Sequence, residues 1–205
     1  MAEMLNDGRV PSKDRKQKYY TAMLKETNRL SLLINNMLDF SKLEVGQKSF
    51  HFEKGNLSDV TEEMVLSMRN YWCDKGFEIN FVLNKAIPDS YFDKESIKQV
   101  LQNLIDNACK YSGTSKKVDV EISSDHTNIQ LSVMDYGIGI KKEDQKDLFN
   151  RFFRSNDALY QQIKGSGIGL TIVKQIIEKH QGKLLVSSEY GKGSQFKVLL
   201  PIKKI

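Results

Sequence analysis

Between residues 20 and 41, apolar or small side chains recur seven apart. Met23, Leu30 and Met37 make one row, Tyr20, Thr27, Ile34 and Ser41 a second, and Leu33 and Phe40 a third. A sevenfold repeat is the mark of a coiled-coil or bundle helix, and it predicts one long helix over about 12–45. At 1.5 Å per residue the rod is roughly 50 Å long. Gly46 follows in the position where glycine most often ends a helix. Asn6-Asp7-Gly8 is a turn signal ahead of it, so residues 1–5 read as the last turn of an earlier helix. The chain then opens inside a helical hairpin. A wide apolar stripe on one helix needs a partner helix or a second copy to cover it.

Beyond residue 47 the pattern changes to alternating strand and helix signals. Residues 48–53 alternate like a short strand, and Ser58 is placed to cap a helix running to about 73. Phe77, Ile79, Phe81 and Leu83 alternate as a strand, and Asp93 caps a helix that reaches about Tyr111. Val118, Val120 and Ile122, then Ile129, Leu131 and Val133, predict two strands around a turn at 125–128. A helix over 168–179 ends near Gly182, and strands at 184–188 and 195–200 close on Gly191-Lys192-Gly193. Short turns between consecutive strands imply antiparallel pairs. Helices on one face of such a sheet give an α+β fold, a two-layer sandwich. The predicted division is 1–46, part of a helical hairpin, and 47–205, the sandwich.

Composition narrows the class. The 205 residues are 40% hydrophobic and 28% charged with three prolines, as in a water-soluble domain large enough to stand without disulfides or metals. Cys73 and Cys109 flank no metal-ligand spacing and read as reduced, buried thiols in a cytoplasmic setting. No apolar run approaches the ~20 residues of a membrane span, and the first ten residues are no signal peptide, so any inner-membrane anchor of a parent protein lies elsewhere. The net charge of +5 suits a phosphate ligand or an acidic partner, and more simply a solvated lysine-rich surface. The basic residues do not alternate with aromatics in a stripe, so no nucleic acid partner is expected.

Three boxes carry candidate chemistry. Residues 99–112 read QVLQNLIDNACKYS; Val100, Leu101, Leu104, Ile105 and Ala108 mark a buried helix face, while Asn103, Asn107 and Lys110 share another. An asparagine oxygen is a hard ligand suited to Mg²⁺, and a lysine meets phosphate as a point charge. Alone, the same face reads more readily as a solvated polar surface. The second box is Asp135-Tyr136-Gly137-Ile138-Gly139-Ile140 at the end of a predicted strand. A carboxylate there can accept from an exocyclic amine such as that of adenine, and Gly137 and Gly139 let backbone approach a flat base. A plain Asp-Gly turn is the competing reading. The third box, Gly165-Ser166-Gly167-Ile168-Gly169-Leu170, runs into a helix whose first amides attract phosphate, with Lys164 ahead of it. It lacks the Gly-Lys-Ser/Thr ending of a P-loop and does not follow a strand. Between the second and third boxes lie Leu148, Phe149, Phe152, Phe153 and Arg154, then a polar stretch to Gln162 that reads as a mobile lid. The phenylalanines read as core packing.

Taken together and in this order, the boxes resemble the ATP-binding domain of sensor histidine kinases. Asn103, Leu104, Asn107, Ala108, Lys110, Tyr111 and Ser112 match that family's asparagine box, and Asp135, Gly137 and Gly139 its adenine box. Residues 148–154 resemble its phenylalanine box, 165–170 its second glycine box, and 191–196 its closing turn. The likeness spans about 50–201, and residues 30–44 resemble the second helix of the family's dimerisation hairpin. It implies a Bergerat-type ATP-binding fold behind a dimerisation helix, with ATP and Mg²⁺ as cofactors. By resemblance Asn107 holds Mg²⁺, and Asp135 with Gly137 and Gly139 takes the adenine. Tyr111 flanks the nucleotide and Asn103 supports the phosphates. Lys110 and Lys164, with Gly165, Gly167, Gly169 and Leu170, hold the phosphates. Asn103, Asn107 and Lys110 would form the catalytic set. The implied reaction transfers the γ-phosphoryl of ATP to a histidine on the dimerisation helix, for relay to a response regulator receiver domain, in a homodimer.

Two departures accompany the likeness. Asn150 stands where the family carries an acidic residue. His51, His126 and His180 lack the surroundings of the family's phosphoacceptor, which is expected upstream of residue 1, so this chain is expected to bind ATP without labelling itself. His180, at a helix C-terminus, reads as a charge matched to the helix dipole. Two other classes are consistent with the boxes. One is a non-catalytic nucleotide-binding scaffold. The other is a gyrase-type ATPase, which needs a glutamate base where Asn103 stands.

Overall fold

The computed structural model describes residues 2–7, 12–155, 157, 160, 163 and 165–202. A short helix, α1 (Ala2–Asn6), precedes the long α2 (Lys13–Glu44). Gly46, at a φ of 68°, turns the chain out of α2. The exposed side chains of Tyr20, Leu24, Ile34, Leu38 and Val45 run along α2, and near its end Leu43 enters the core. No helix among the described residues is long and apolar enough to cross a membrane.

The remaining elements are β1 (Phe52–Gly55), α3 (Leu57–Trp72), β2 (Glu78–Leu83), β3 (Ser90–Asp93), α4 (Lys94–Tyr111), β4 (Lys117–Ser124), β5 (Asn128–Asp135), α5 (Gly169–Lys179), β6 (Lys183–Glu189) and β7 (Gly193–Pro201). Five strands form one sheet in the order β2-β4-β5-β7-β6, and β1 pairs with β3 in a separate two-stranded ribbon. Strand alternation puts Val118, Val120 and Ile122 of β4, with Ile129, Leu131 and Val133 of β5, on one face. Leu57, Val60 and Val65 of α3, Leu101, Leu104 and Ile105 of α4, and Ile172, Ile176 and Ile177 of α5 meet that face and complete the core. Each fully buried leucine or isoleucine contributes about 1.5–3 kcal/mol. The two-layer α+β arrangement expected from the periodicities is the one observed.

Several local expectations are corrected. The cap of α3 is Asn56, whose Oδ1 accepts from the Ser58 N–H at 3.0 Å, and not Ser58. The first strand lies later, at Phe52–Gly55, because its register is set by pairing with β3. β2 runs parallel to β4, since the chain between them crosses over through β3 and α4. Cys73 is exposed; Cys109 is buried, and that burial raises its thiol pKa to about 12. Asp93 does cap α4, accepting from the Ser96 N–H at 2.7 Å.

His180 is buried, and its Nε2 accepts the Asp93 N–H at 3.0 Å. Nδ1 therefore carries the proton, donating to the Ile176 carbonyl at 2.8 Å. The ring is neutral and ties the end of α5 to the start of α4, in place of the dipole-matched charge expected.

Candidate functional site

The central strand β5 ends on Asp135, flanked in the sheet by Val118 of β4 and Ser194 of β7. The second box leaves the sheet there and is sewn to the end of α4, where the Ile138 N–H donates to the Tyr111 carbonyl at 3.0 Å. A Cβ on residue 137 would lie 1.9 Å from that carbonyl oxygen, so only glycine lets the box lie against α4. Gly139, at a φ of 66°, would similarly drive a Cβ to 2.0 Å from the Glu189 carbonyl oxygen. Tyr136 points its hydroxyl to Asp119 on β4, which fixes the outer side of the box.

A cleft of roughly 1050 Å³ opens beside this strand end, and residues of all three boxes line it. Asn103, Asn107, Lys110 and Tyr111 come from α4, Asp135 and Gly139 from the second box, and Gly165, Gly167, Gly169 and Leu170 from the third. Gly137 is not among the residues lining the cleft, and its backbone lies close against the end of α4. Lys164 lies outside the described residues. The volume is at the upper end of that of ordinary small-molecule sites.

Asp135 is 3% exposed, and its Oδ1 accepts the Gly137 N–H at 3.0 Å. Burial is the larger influence and lifts its carboxyl to about pH 6, against the opposing bonds from the Gly137 and Ser194 amides. The group stays ionised at neutral pH and keeps an acceptor on a nearly dry surface, where a matching donor is held strongly. At the other side, α5 starts at Gly169 with no side chain capping its first turn. Its leading amides remain open to an anion.

Asn103 donates through Nδ2 to the Gln99 carbonyl at 2.9 Å. Its Oδ1 stands so near Gly169 that a Cβ there would be 2.9 Å away, which brings the first box against the third. Lys110 is paired with Asp106 one turn before it. Arg154 reaches past the phenylalanine-rich stretch and donates to the carbonyls of Ile163 at 2.6 Å, Tyr160 at 3.2 Å and Gly165 at 3.4 Å, shaping the approach to the third box. Of the phenylalanines expected in the core, Phe149 packs there, but Phe153 lines the cleft and Phe152 is 62% exposed. Phe152 is turned outward at a φ of 59° while its N–H donates to the Gly167 carbonyl at 3.1 Å.

Other cleft residues carried no sequence signal. Asp144 and Ser155 are joined by a 2.6 Å hydrogen bond, and Tyr160 pairs with Tyr111. On the far side the cleft reaches Tyr71 and Trp72 of α3, with the Lys75 ammonium 4.1 and 3.8 Å from their ring centres.

Comparison with known proteins agrees with this geometry. The family model described as "Histidine kinase-, DNA gyrase B-, and HSP90-like ATPase" matches residues 92–204, and the "His Kinase A (phospho-acceptor) domain" matches 1–46. Sensor histidine kinase WalK of Bacillus subtilis is 31% identical over 98% of this chain and 33% of its own length. Histidine kinase P4 of Formosa agariphila is 33% identical over 85% of this chain and 13% of its own. The chain thus spans a third or less of these relatives. The solved histidine kinase AdeS of Acinetobacter baumannii superimposes with a TM-score of 0.75 at 25% identity, covering 99% of this chain and 92% of that one. With more than half of its residues in the ATPase match, the chain belongs to the histidine kinase-, DNA gyrase B-, and HSP90-like ATPase family, and it is similar to the catalytic regions of sensor histidine kinases.

Proposed function

We propose that residues 47–205 bind Mg-ATP in the cleft and, in the intact protein, transfer its γ-phosphoryl to a histidine on a dimerisation helix to which residues 1–46 belong. The observation that carries this is the convergence of three separate boxes on one cleft, with a buried carboxylate at one side and open helix amides at the other. Asp135 accepts from the adenine amine. Lys110 and the amides at Gly165, Gly167 and Gly169 face the phosphates, with Lys164 adding charge, and Asn103 supports them from α4. Asn107 supplies an oxygen suited to Mg²⁺, and its place beside Asn103 and Lys110 on the cleft face of α4 fits that ion. The bound cation supplies neutralisation of phosphate charge. In the transfer a histidine nitrogen attacks the γ-phosphorus, the bond to the bridging oxygen breaks, and ADP leaves with the electron pair. Such a step depends on positioning and charge neutralisation more than on covalent help from the protein.

None of the three histidines lies within residues 1–46, so the acceptor is proposed to come from outside these 205 residues. His180 is committed to two backbone partners. The phosphoryl group would then pass to the receiver domain of a response regulator, with the exposed stripe of α2 covered in a homodimer. The test supplies a separate hairpin of the parent protein that bears the acceptor histidine, together with labelled ATP. Acid-labile label on that hairpin, dependent on this chain, is the expected result. Label on this chain itself, or sustained phosphate release without transfer, would sink the proposal, and the second outcome would favour the gyrase-type reading.

A further inference from the structure

Tyr160 belongs to none of the boxes, yet it lines the cleft and is 9% exposed. Its ring pairs with that of Tyr111, with centroids 5.4 Å apart and planes tilted by 42°. Its backbone is held on both sides. The Tyr160 N–H donates to the Asp157 carbonyl at 3.0 Å, and its own carbonyl accepts from Ile163 N–H at 3.1 Å and from Arg154 at 3.2 Å. The Asp157 carboxylate is anchored in turn by Lys141 and by the Tyr190 hydroxyl, each at 2.9 Å. The side chain is therefore placed by a frame of bonds.

The Tyr160 hydroxyl is shielded from water and has no hydrogen-bond partner among the described residues. A buried hydroxyl in that condition is destabilising unless something else completes it. Burial, then the field of Tyr111 and the negative fields of Asp135 and Asp144 among others, weaken its acidity, so it remains a protonated donor. Tyr160 shares the cleft with Asp135 and stands against the ring of Tyr111.

We propose that Tyr160 contacts the nucleotide directly, its hydroxyl donating to a ring nitrogen of the base whose exocyclic amine Asp135 accepts. The inference rests on the reading of the cleft as an ATP site. Adenine fits such a pair because its amine donor is flanked by two ring acceptors, N1 and N7. Guanine puts a carbonyl against the Asp135 carboxylate, and an N–H replaces the acceptor at N1. Tyr160 and Asp135 together would read donor and acceptor, and the Tyr111–Tyr160 pair would form an aromatic wall for the base.

Binding of ATP, 1-deaza-ATP and 7-deaza-ATP to the whole chain, Tyr160→Phe and Asp135→Asn tests this, with nucleotide-free melting temperatures alongside. The parent should lose about tenfold in affinity on one of the two deaza analogues. Tyr160→Phe should lose a similar factor on ATP, treat that analogue and ATP alike, and melt no lower than the parent. Equal ATP affinity of Tyr160→Phe and the parent would overturn the assignment. So would a lowered melting temperature with unchanged affinity, or a loss that neither deaza analogue reproduces. Failure of the parent to bind ATP would overturn the reading of the cleft itself.

Discussion

Asp135 sits at the end of the central strand with its carboxyl raised to about pH 6 by burial. A raised folded pKa means that the folded state takes up the proton more readily than the unfolded chain. The associated stability is fully present below about pH 3.8 and is lost as pH rises through about 6. Accepting an amine favours the ionised form, so ATP binding should release a proton near pH 6. With magnesium in excess, affinity should be about tenfold weaker at pH 5 than at pH 7. Calorimetry in buffers of different ionisation enthalpy reads both; a flat pH profile would remove Asp135 from the contact. Gly137→Ala should fail differently. Its Cβ would strike the Tyr111 carbonyl, pulling the second box from α4 and lowering the melting temperature as well as ATP affinity. Sequence alone singles out Asp135 and the glycines, but the close approach of Gly137 to α4 could not be read from it, because a clash between two backbones distant in sequence leaves no local mark. Asp106, Asp144 and Tyr160 were invisible for the same reason.

At the scale of the element, periodicity showed where apolar faces were buried. Helices α4 and α5 and the strands β4 and β5 follow directly from spacing, since each presents one regular face to the core, while α2 follows from its sevenfold repeat alone. The ribbon strand β3 is only four residues long, and the pairing of β1 with it sets their limits. The parallel course of β2 depends on a crossover that no local pattern records. The cap of α3 separates a structural from a functional effect. Asn56 accepts from Ser58 and donates to the Ile87 carbonyl at 2.7 Å, away from the cleft. Asn56→Ala is expected to cost about 1 kcal/mol of stability. Its ATP affinity should match the parent's, and a large loss of affinity would show that α3 is coupled to the site.

For the whole molecule, the described side chains of α2 leave a long apolar surface uncovered. Leu24, Ile34 and Leu38 are more than half exposed, while Leu43 alone joins the core from the described part of its stripe. A helix of 32 residues in this state needs a second helical surface. Ile34→Lys combined with Leu38→Lys should shift the chain toward monomer in light scattering across a concentration series, leaving ATP binding intact. An unchanged mass would place the contact elsewhere. The change of period near residue 47 is where the sequence divides this helix from the sandwich. The way the cleft gathers residues from α3, α4, β5 and the third box was not legible in the sequence, because it depends on how the layers stack.

The central claim is a magnesium-assisted ATP site read by Asp135. Calorimetric titration of ATP into the whole chain, with and without Mg²⁺ and beside Asp135→Asn, tests it most directly. Magnesium-strengthened binding that Asp135→Asn abolishes is the expected result. Absence of ATP binding by the parent chain, or undiminished binding by Asp135→Asn, would contradict it.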